Sequence, residues 1–220
     1  QILTTQYRMI ENIGNLISKV FYRGIIDTGC NDDEKRHGLS RYVGKSIVWF
    51  DTSANKKKSQ KRTKGGSYIN EEEKRIILEI LDDLKSTGEL KGLDIGIITG
   101  YSGQKELLRK SIKATGLDKI ASKIDINTLD AFQGRENDII IYSTVRTRDS
   151  IGFQKEKERV NVAFSRAKKL LIVCGDKNFF YNFDDQDNKF VEIIDYISEE
   201  EECEIIQCDG GKLFERESNS

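Results

Sequence analysis

Two arginines stand where they could hold phosphate oxygens. Arg8 follows Tyr7, so a ring able to stack on a base lies beside a guanidinium group. Arg166 lies seven residues after Arg159 on a helix predicted over 158–168, just before an apolar run. A planar guanidinium can bind two phosphate oxygens together, which an ammonium group cannot. The pattern predicts chemistry on a phosphate ester, and ordinary packing of a charged helix and surface is the alternative interpretation.

A glycine-containing turn offers a second kind of polar contact. Thr99 ends a strand predicted over 93–99, and Gly100, Tyr101 and Gln104 follow at the start of a predicted helix. Backbone N–H groups at a helix start attract anions, and Tyr101 is expected to be available for base contact. A plain strand-to-helix turn is the alternative interpretation.

A third segment places polar residues between two apolar strands. It runs from Thr128 to Glu136 and includes Asp130 and Gly134. Gly134 permits close approach of the backbone to a ligand, and Glu136 can accept a hydrogen bond from a sugar hydroxyl. Arg135 is interpreted as a structural ion-pair partner. Because ligands of open α/β sheets bind where strands end, these segments are candidate site elements.

The elements that position these segments alternate between helix and strand. Apolar spacing and the N-cap residue Asn70 predict helices over 5–22, from Asn70 onward, and over 102–114, 158–168 and 187–198. Short apolar runs predict strands over 46–51, 93–99, 124–129, 138–145 and 170–174. Such an order is typical of a mainly parallel sheet covered on both faces. We expect a folded domain over 1–198 and a flexible acidic and polar tail over 199–220.

Cationic residues are concentrated between the first of these strands and the next helix. The run comprises Lys56, Lys57, Lys58, Lys61, Arg62 and Lys64. One interpretation is a solvated, partly disordered loop, and the other is a flexible basic arm near nucleic acid.

Composition excludes several classes of protein. The 36 lysines and arginines nearly balance the 37 aspartates and glutamates, so no overall basic field marks a nucleic-acid-binding protein. No apolar run approaches the length of a membrane-spanning helix, and four cysteines with one histidine support neither a zinc site nor a disulfide framework. We expect an intracellular protein, cytoplasmic in a bacterium and nuclear or cytoplasmic in a eukaryote, without a membrane partner or an obligate homo-oligomer. Because the chain opens at Gln1, we expect it to be part of a longer protein.

Four segments together resemble the motifs of one family. In chain order they are Gln6-Tyr7-Arg8-Met9, Ile98-Thr99-Gly100-Tyr101 with Gln104, Asp130-Ala131-Phe132-Gln133-Gly134-Arg135-Glu136, and the helix from Arg159 to Lys168. Their order and content resemble the C-terminal, second RecA-like domain of superfamily 1 helicases of the 1B type. The branch is the one that includes senataxin and the nonsense-mediated-decay helicase. The resemblance covers roughly residues 1–176, and the last two motifs are the specific ones.

The resemblance implies a fold and a shared nucleotide site. The implied fold is a three-layer α/β domain of the RecA-like (P-loop NTPase-like) class with a mainly parallel sheet. In the family, ATP lies between two RecA-like domains. By resemblance, Tyr7 stacks on adenine, Glu136 contacts the ribose, and Arg8 and Arg166 reach the γ-phosphate as catalytic residues. The full implied nucleotide-binding set is Gln6, Tyr7, Arg8, Gly134, Glu136 and Arg166.

The same resemblance implies a partner. Single-stranded DNA or RNA is expected to lie toward the turn after the second predicted strand and its surroundings. The implied nucleic-acid-binding residues are Thr99, Gly100, Tyr101, Gln104, Thr128 and Asp130. The chain departs from the family in having Ile10-Glu11 after the first motif, where histidine and proline are frequent, and Gly100 where proline is usual. Glycine leaves this turn less rigid, because proline would fix φ.

The sequence contains only part of what ATP hydrolysis requires. No P-loop occurs: Gly210-Gly211-Lys212 is followed by Leu213 and lacks an earlier glycine at the required spacing. No apolar run ends in paired acids suited to Mg²⁺. The resemblance therefore implies that a first RecA-like domain of the same protein holds Mg²⁺ and most phosphate contacts. We expect these 220 residues alone to be inactive.

Two other functions stay open at this point. One is a RecA-like module that binds nucleic acid or a protein and has lost catalysis, although Arg8, Glu136 and Arg166 are all present. The other is an unrelated phosphate-binding enzyme such as a small-molecule kinase, which would need its own P-loop. The residues do not distinguish DNA from RNA.

Overall fold

A computed structural model describes residues 4–30, 36–89, 92–117, 124–132 and 134–214. Gln133 of the third motif and residues 215–220 of the predicted tail lie outside the described residues. The strands are β1 (Thr5–Gln6), β2 (Asp27–Thr28), β3 (Ile47–Asp51), β4 (Lys61–Arg62), β5 (Tyr68–Ile69), β6 (Ile95–Thr99), β7 (Ile124–Thr128), β8 (Asn137–Ser143), β9 (Ala167–Gly175) and β10 (Cys203–Gln207). The α-helices are α1 (Glu11–Tyr22), α2 (Glu71–Ser86), α3 (Ser102–Ala114), α4 (Lys157–Phe164), α5 (Lys177–Tyr181) and α6 (Phe190–Glu199).

A parallel sheet forms the middle layer. Among the described residues its strand order is β10-β3-β9-β8-β6-β7, and every neighbouring pair is parallel. Strands β3 and β6 are buried at every position, as expected of apolar runs covered on both faces. The predicted mainly parallel α/β architecture is confirmed.

Two apolar cores lie on opposite faces of the sheet. One joins α1, α4 and α6 through residues such as Leu16, Phe164 and Ile193, and the other joins α2 and α3 through Ile80 and Leu108. The result is a three-layer sandwich of helix, sheet and helix. None of the helices in the described ranges is long and apolar enough to span a membrane.

Local sequence signals predicted where α2 and α3 begin, whereas long-range contacts determine where α1 begins. The Asn70 side chain caps α2 by accepting from the N–H groups of Glu72 and Glu73, and α3 has the predicted bounds. The first helix instead begins at Glu11, because Thr5–Gln6 pair with Asp27–Thr28 and the Ile10 N–H donates to Lys168 O.

The predicted tail differs from the structure. Cys203–Gln207 form β10, which pairs in parallel with β3, so the sheet continues past residue 198. Farther along, Phe214 packs edge-on against Phe50 at 6.4 Å. The acidic residues 199–202 form the end of α6 and the turn into β10, where they are exposed to solvent. Because acidic and polar residues surround Cys203–Gln207, the sequence indicated a tail where the structure has a short edge strand.

Candidate functional site

Three of the predicted nucleotide-binding residues lie at the amino edge of the sheet, where β8 and β9 begin. Glu136 immediately precedes β8, and Arg166 immediately precedes β9. Arg8 precedes α1 and reaches this edge, where its Nε donates to Glu136 Oε2 at 2.7 Å. Lys168, the second residue of β9, joins them with Nζ 2.9 Å from Glu136 Oε1. We call Arg8, Glu136, Arg166 and Lys168 the arginine cluster. The usual rule for open sheets would have placed a ligand at the opposite, carboxyl edge.

Glu136 is the anionic centre of the arginine cluster. Its two carboxylate oxygens bind different cations, Lys168 and Arg8. The hydrogen bond from Lys168, followed by that from Arg8, lowers the pKa of Glu136 below its usual value. Glu136 therefore stays ionised and holds the Arg8 side chain at the edge.

Arg166 is held mainly by backbone carbonyls. Its Nε donates to Val162 O at 3.1 Å, and Nη1 donates to Arg135 O at 3.3 Å. Partial burial and the positive charge of Arg8 lower its pKa, while Glu136 raises it. Because guanidinium groups titrate far above neutrality, Arg166 remains charged. Two guanidinium groups are thus kept close enough to repel each other.

The charge balance of the arginine cluster favours an anion. Three cations share one carboxylate, and Arg8, Glu136 and Lys168 keep 40%, 42% and 33% of their side chains exposed. An excess positive charge at an accessible edge attracts phosphate, and planar guanidinium groups suit its oxygens. The geometry can therefore hold and neutralise a phosphoryl group.

Tyr7 lies beside the arginine cluster with its ring largely in solvent. Its exposure is 69%, the second highest among the large apolar and aromatic residues described as exposed. Gly29 makes room for the ring, since a Cβ at that position would lie 2.4 Å from Tyr7 Cε1. The site therefore presents an aromatic face beside cationic groups.

Gln6 supports this loop through its side-chain amide. Its Oε1 accepts from the N–H groups of Arg8 and Met9, and its Nε2 donates to Met9 O and to Thr28 Oγ1. The structure thus places Gln6 as a residue that positions Tyr7 and Arg8. Gly134 supports the second loop, with φ of 83°, a left-handed conformation that favours glycine.

The predicted nucleic-acid turn lies at the carboxyl edge, but its largest side chains are buried. Thr99 is fully buried, and Tyr101 is only 4% exposed. The ring of Tyr101 packs edge-on against Tyr68 at 5.7 Å and at a tilt against Phe153 at 5.6 Å. The structure differs from the expectation that Tyr101 is available for base contact, because residues from two distant segments cover it.

Gln104 belongs to a buried polar network. Its Oε1 accepts from Asn70 N at 2.8 Å, and its Nε2 donates to Asn70 O and to Ser143 Oγ. Ser143 Oγ in turn donates to Glu73 Oε2 at 2.6 Å. The N–H of Val145 also donates to the Glu73 carboxyl group. Gln104 thus ties the start of α2 to the end of β8 and is not at the surface.

The remaining predicted residues sit near the same edge. Gly100 and Thr128 are half-buried, and Thr128 lies opposite Thr99 in the β6–β7 pair. Asp130 is exposed, with Oδ1 3.9 Å from Nη2 of Arg159. The structure therefore leaves Gly100, Thr128 and Asp130 accessible to a ligand and encloses the other three.

Two features were missed by sequence reasoning. Lys168 was part of the quoted motif but was not assigned a role, and its position two residues after Arg166 was the available signal. Glu73 lies in the first turn of α2, and no pattern in the sequence marked it as buried. Burial raises its pKa to about 8, against hydrogen bonds from Ser143, Val145 and Thr144 that favour the charged form. In the described ranges, no three His, Cys, Asp or Glu side chains group into a metal site.

Comparison with known proteins places these features in a family. Residues 1–178 match a family described as AAA domain. The chain belongs to this AAA domain family. Helicase SEN1 of Saccharomyces cerevisiae is 36% identical over 185 residues, which cover 79% of this chain and 8% of that protein. The "Regulator of nonsense transcripts 1 homolog" of Neurospora crassa is 32% identical over 181 residues, with 79% and 16% covered. The predicted superfamily 1 branch is confirmed.

Two further similarities concern an archaeal protein and a solved structure. A protein described as an uncharacterized ATP-dependent helicase in Methanocaldococcus jannaschii is 33% identical, covering 94% of this chain and 31% of that protein. A solved C-terminal domain of a possible DNA helicase from Lactobacillus plantarum has a TM-score of 0.45 and 14% identity, covering 78% of this chain and 88% of that one. The chain spans less than a third of the length of each of the three relatives named here.

Proposed function

We propose that this chain is the second RecA-like motor domain of an ATP-dependent helicase and contributes half of a composite ATP site. The observation that carries the proposal is the arginine cluster, in which two guanidinium groups, a lysine and one carboxylate meet at an exposed edge. Membership of the AAA domain family supports it, as do the relatives named as helicases, one of them as an ATP-dependent helicase.

The residues of the site divide the work of nucleotide binding. The exposed ring of Tyr7 stacks on adenine. Arg8 and Arg166 neutralise charge that develops on the transferred phosphoryl oxygens, which is the role of an arginine finger. An incoming triphosphate competes with Glu136 for Arg8, and the released carboxylate accepts from a ribose hydroxyl. Gln6 and Gly134 hold the two loops that carry these groups.

Mg²⁺ and most phosphate contacts belong to the first RecA-like domain in this proposal. The described acids form no metal-binding group, and the sequence has no P-loop. The chain alone therefore binds ATP weakly and does not turn it over. Measurable hydrolysis by the purified chain, lost in Arg166→Ala, would contradict this statement.

The test is strand-stimulated ATP hydrolysis by the protein that carries both RecA-like domains. Arg166→Ala is compared with wild type in the presence and absence of single-stranded DNA and RNA. Arg135→Ala is the matched control, because the Arg135 side chain pairs with Asp125 and only its backbone carbonyl contacts Arg166. Stimulated activity that Arg166→Ala abolishes and Arg135→Ala retains supports the motor, and the better strand identifies the substrate.

Two other results would count against the motor. Full activity in Arg166→Ala would show that this arginine is not the finger. No activity in the wild-type protein would favour a RecA-like module that binds nucleic acid or protein without catalysis.

A further inference from the structure

The chain gathers cations on one element although its net charge is −1. Residues 52–70 contain six lysines and arginines and no aspartate or glutamate. Part of this run forms the antiparallel hairpin β4–β5, in which Lys61 pairs with Ile69 and Arg62 with Tyr68. We call residues 56–69 the basic hairpin. Local charge sorting of this kind produces a positive patch on a protein with no overall basic field.

The basic hairpin is fixed to the carboxyl edge of the sheet. Gln60 is 2% exposed, and its backbone and side chain exchange hydrogen bonds with Thr147, at 3.1 Å and 2.9 Å. Ser67 Oγ accepts from the N–H of Gly103 at the start of α3. Both interpretations of the run, the partly disordered loop and the flexible arm, expected a mobile segment, and the structure differs from both because hydrogen bonds anchor the hairpin at Gln60 and Ser67.

Most of the hairpin's cations point to solvent. Lys58 is the exception, with Nζ 2.8 Å from Asp176 Oδ2. The exposed cations of the run are Lys56, Lys57, Lys61, Arg62 and Lys64. Arg146, which follows β8, lies with its guanidinium carbon 4.1 Å from the centre of the Tyr68 ring. The hairpin therefore presents a positive surface, and the stack of Arg146 on Tyr68 joins it to the segment that follows β8.

An exposed aromatic ring lies close to this surface. Phe153 is 47% exposed, and its ring centre lies 5.6 Å from that of Tyr101. Tyr101 is also the ring against which the hairpin residue Tyr68 packs, at 5.7 Å. The guanidinium of Arg159 lies 5.2 Å from the Phe153 ring centre. A ring held by its neighbours yet open to solvent can stack on a base at little ordering cost.

We propose that the basic hairpin and Phe153 form the single-strand contact of this domain. Lys61, Arg62 and Lys64 bind phosphates, and Phe153 stacks on a base. This inference rests on the proposed function. It moves the contact from the enclosed side chains of Tyr101 and Gln104 to the basic run, for which a position near nucleic acid was one of two interpretations, and to Phe153, which the sequence did not assign. The enclosed residues act as the support that holds the surface in place.

The first test measures phosphate contacts. Binding of a labelled single strand by the 220-residue chain is followed by fluorescence anisotropy across a salt series. The triple variant Lys61→Gln, Arg62→Gln and Lys64→Gln is expected to weaken binding about tenfold or more and to reduce the slope of log K against log salt by about 2. The matched control replaces Lys85, Lys110 and Lys113, three exposed lysines in the later turns of α2 and α3, and should change the slope by less than about 0.5.

The second test separates stacking from charge. Phe153→Leu is expected to weaken binding of a normal strand about tenfold and to leave binding of an abasic strand unchanged, because stacking needs a base. Phe153→Tyr keeps the ring and should bind like wild type. The triple variant should weaken binding of both the normal and the abasic strand, since each carries phosphates.

Three outcomes would overturn the inference. One is a triple variant that binds with the wild-type slope, and another is a Phe153→Leu variant that weakens both strands equally. The third is a wild-type chain that fails to bind a strand at about 50 mM salt. The proposed motor function is tested separately by hydrolysis in Arg166→Ala, a variant that leaves the hairpin unchanged.

Discussion

Charged groups at the amino edge of the sheet are accessible, whereas the polar and titratable groups at the carboxyl edge include some of the most enclosed among the described residues. Arg8 and Glu136 pair at 2.7 Å with about two fifths of each side chain exposed. Glu73 is fully buried, as is its neighbour Ser143, and Gln104 completes the network. A glutamate at the amino edge therefore belongs to an exposed ion-pair cluster, whereas a glutamate at the carboxyl edge belongs to a buried hydrogen-bond network.

The difference separates function from stability. Exposed ion pairs contribute only about 0–1 kcal/mol, so the arginine cluster adds little to folding. Removal of one partner from a buried hydrogen-bonded group costs about 1–3 kcal/mol for each group left unsatisfied. We therefore expect changes at the amino edge to affect activity and changes at the buried network to affect stability.

The largest expected effect is on catalysis at the amino edge. Arg8→Ala in the protein with both RecA-like domains should lower strand-stimulated ATP hydrolysis by about 10³-fold, the lower end of the range for an arginine finger. Arg8→Lys should restore little, because an ammonium group lacks the planar fork. Urea unfolding of the chain should show a change of less than about 1 kcal/mol.

A large loss of stability in Arg8→Ala would break this separation. It would show that the arginine cluster is structural, and lost activity would then carry no information about the phosphoryl group.

The second effect is on stability at the carboxyl edge. Glu73→Ala should lower the free energy of unfolding by about 3 kcal/mol, because the donors of Ser143 and Val145 would lose their acceptor in a buried place. Glu71→Ala is the control: Glu71 occupies the same helical turn but pairs with Lys74 near the surface, and its loss should cost less than about 1 kcal/mol. Both variants are measured by thermal and by urea unfolding. Equal losses of stability in Glu73→Ala and Glu71→Ala would contradict the distinction between the buried network and the surface pair.

The third effect is the pH dependence of that stability. Burial raises the pKa of Glu73 to about 8, above the ordinary 4.5 that it regains on unfolding. The folded state therefore binds the extra proton between these values, so stability falls as pH rises from about 5 to 8, by at most about 1.4 kcal/mol per pH unit. Glu73→Gln should flatten this dependence in urea unfolding measured at several pH values. If Glu73→Gln showed the same dependence of unfolding free energy on pH as the wild type, another titrating group would be responsible for it.

Sequence reasoning succeeded where the signal was local. The N-cap at Asn70 and the spacing of apolar residues located α2 and α3, since both depend on neighbours along the chain. Strand β10 was missed because its pairing with β3 brings together residues about 156 positions apart. No local pattern in Cys203–Gln207 distinguishes that strand from a charged tail.

The site shows the same limit. Arg8, Glu136 and Arg166 belong to motifs, and the structure brings all three together. The burial of Tyr101 could not be predicted, because Tyr68 and Phe153, which cover it, come from segments 33 and 52 residues away. The exposure of a side chain depends on contacts with residues far away in the sequence. Residue types and their spacing can be read from the sequence directly, so motifs can be predicted but burial cannot.

The smallest expected effect refines the amino-edge site through a residue that carries no charge. A Cβ at Gly29 would lie 2.4 Å from Cε1 of Tyr7 and 2.9 Å from Cγ2 of Thr5, so Gly29→Ala must displace the ring and crowd the Thr5 side chain. Because both side chains are exposed, the free energy of unfolding should change by less than about 1 kcal/mol. The KM for ATP of the protein with both domains should rise about threefold, because a ring no longer held in place stacks less well on adenine. Gly65→Ala, whose Cβ would meet only Thr63 Oγ1 at 4.0 Å, is the control; because Gly65 lies in the basic hairpin, both KM values are measured without nucleic acid, where Gly65→Ala should leave the KM unchanged. A KM unaffected by Gly29→Ala would mean that Tyr7 takes no part in nucleotide binding, and the amino-edge site would reduce to its charged groups.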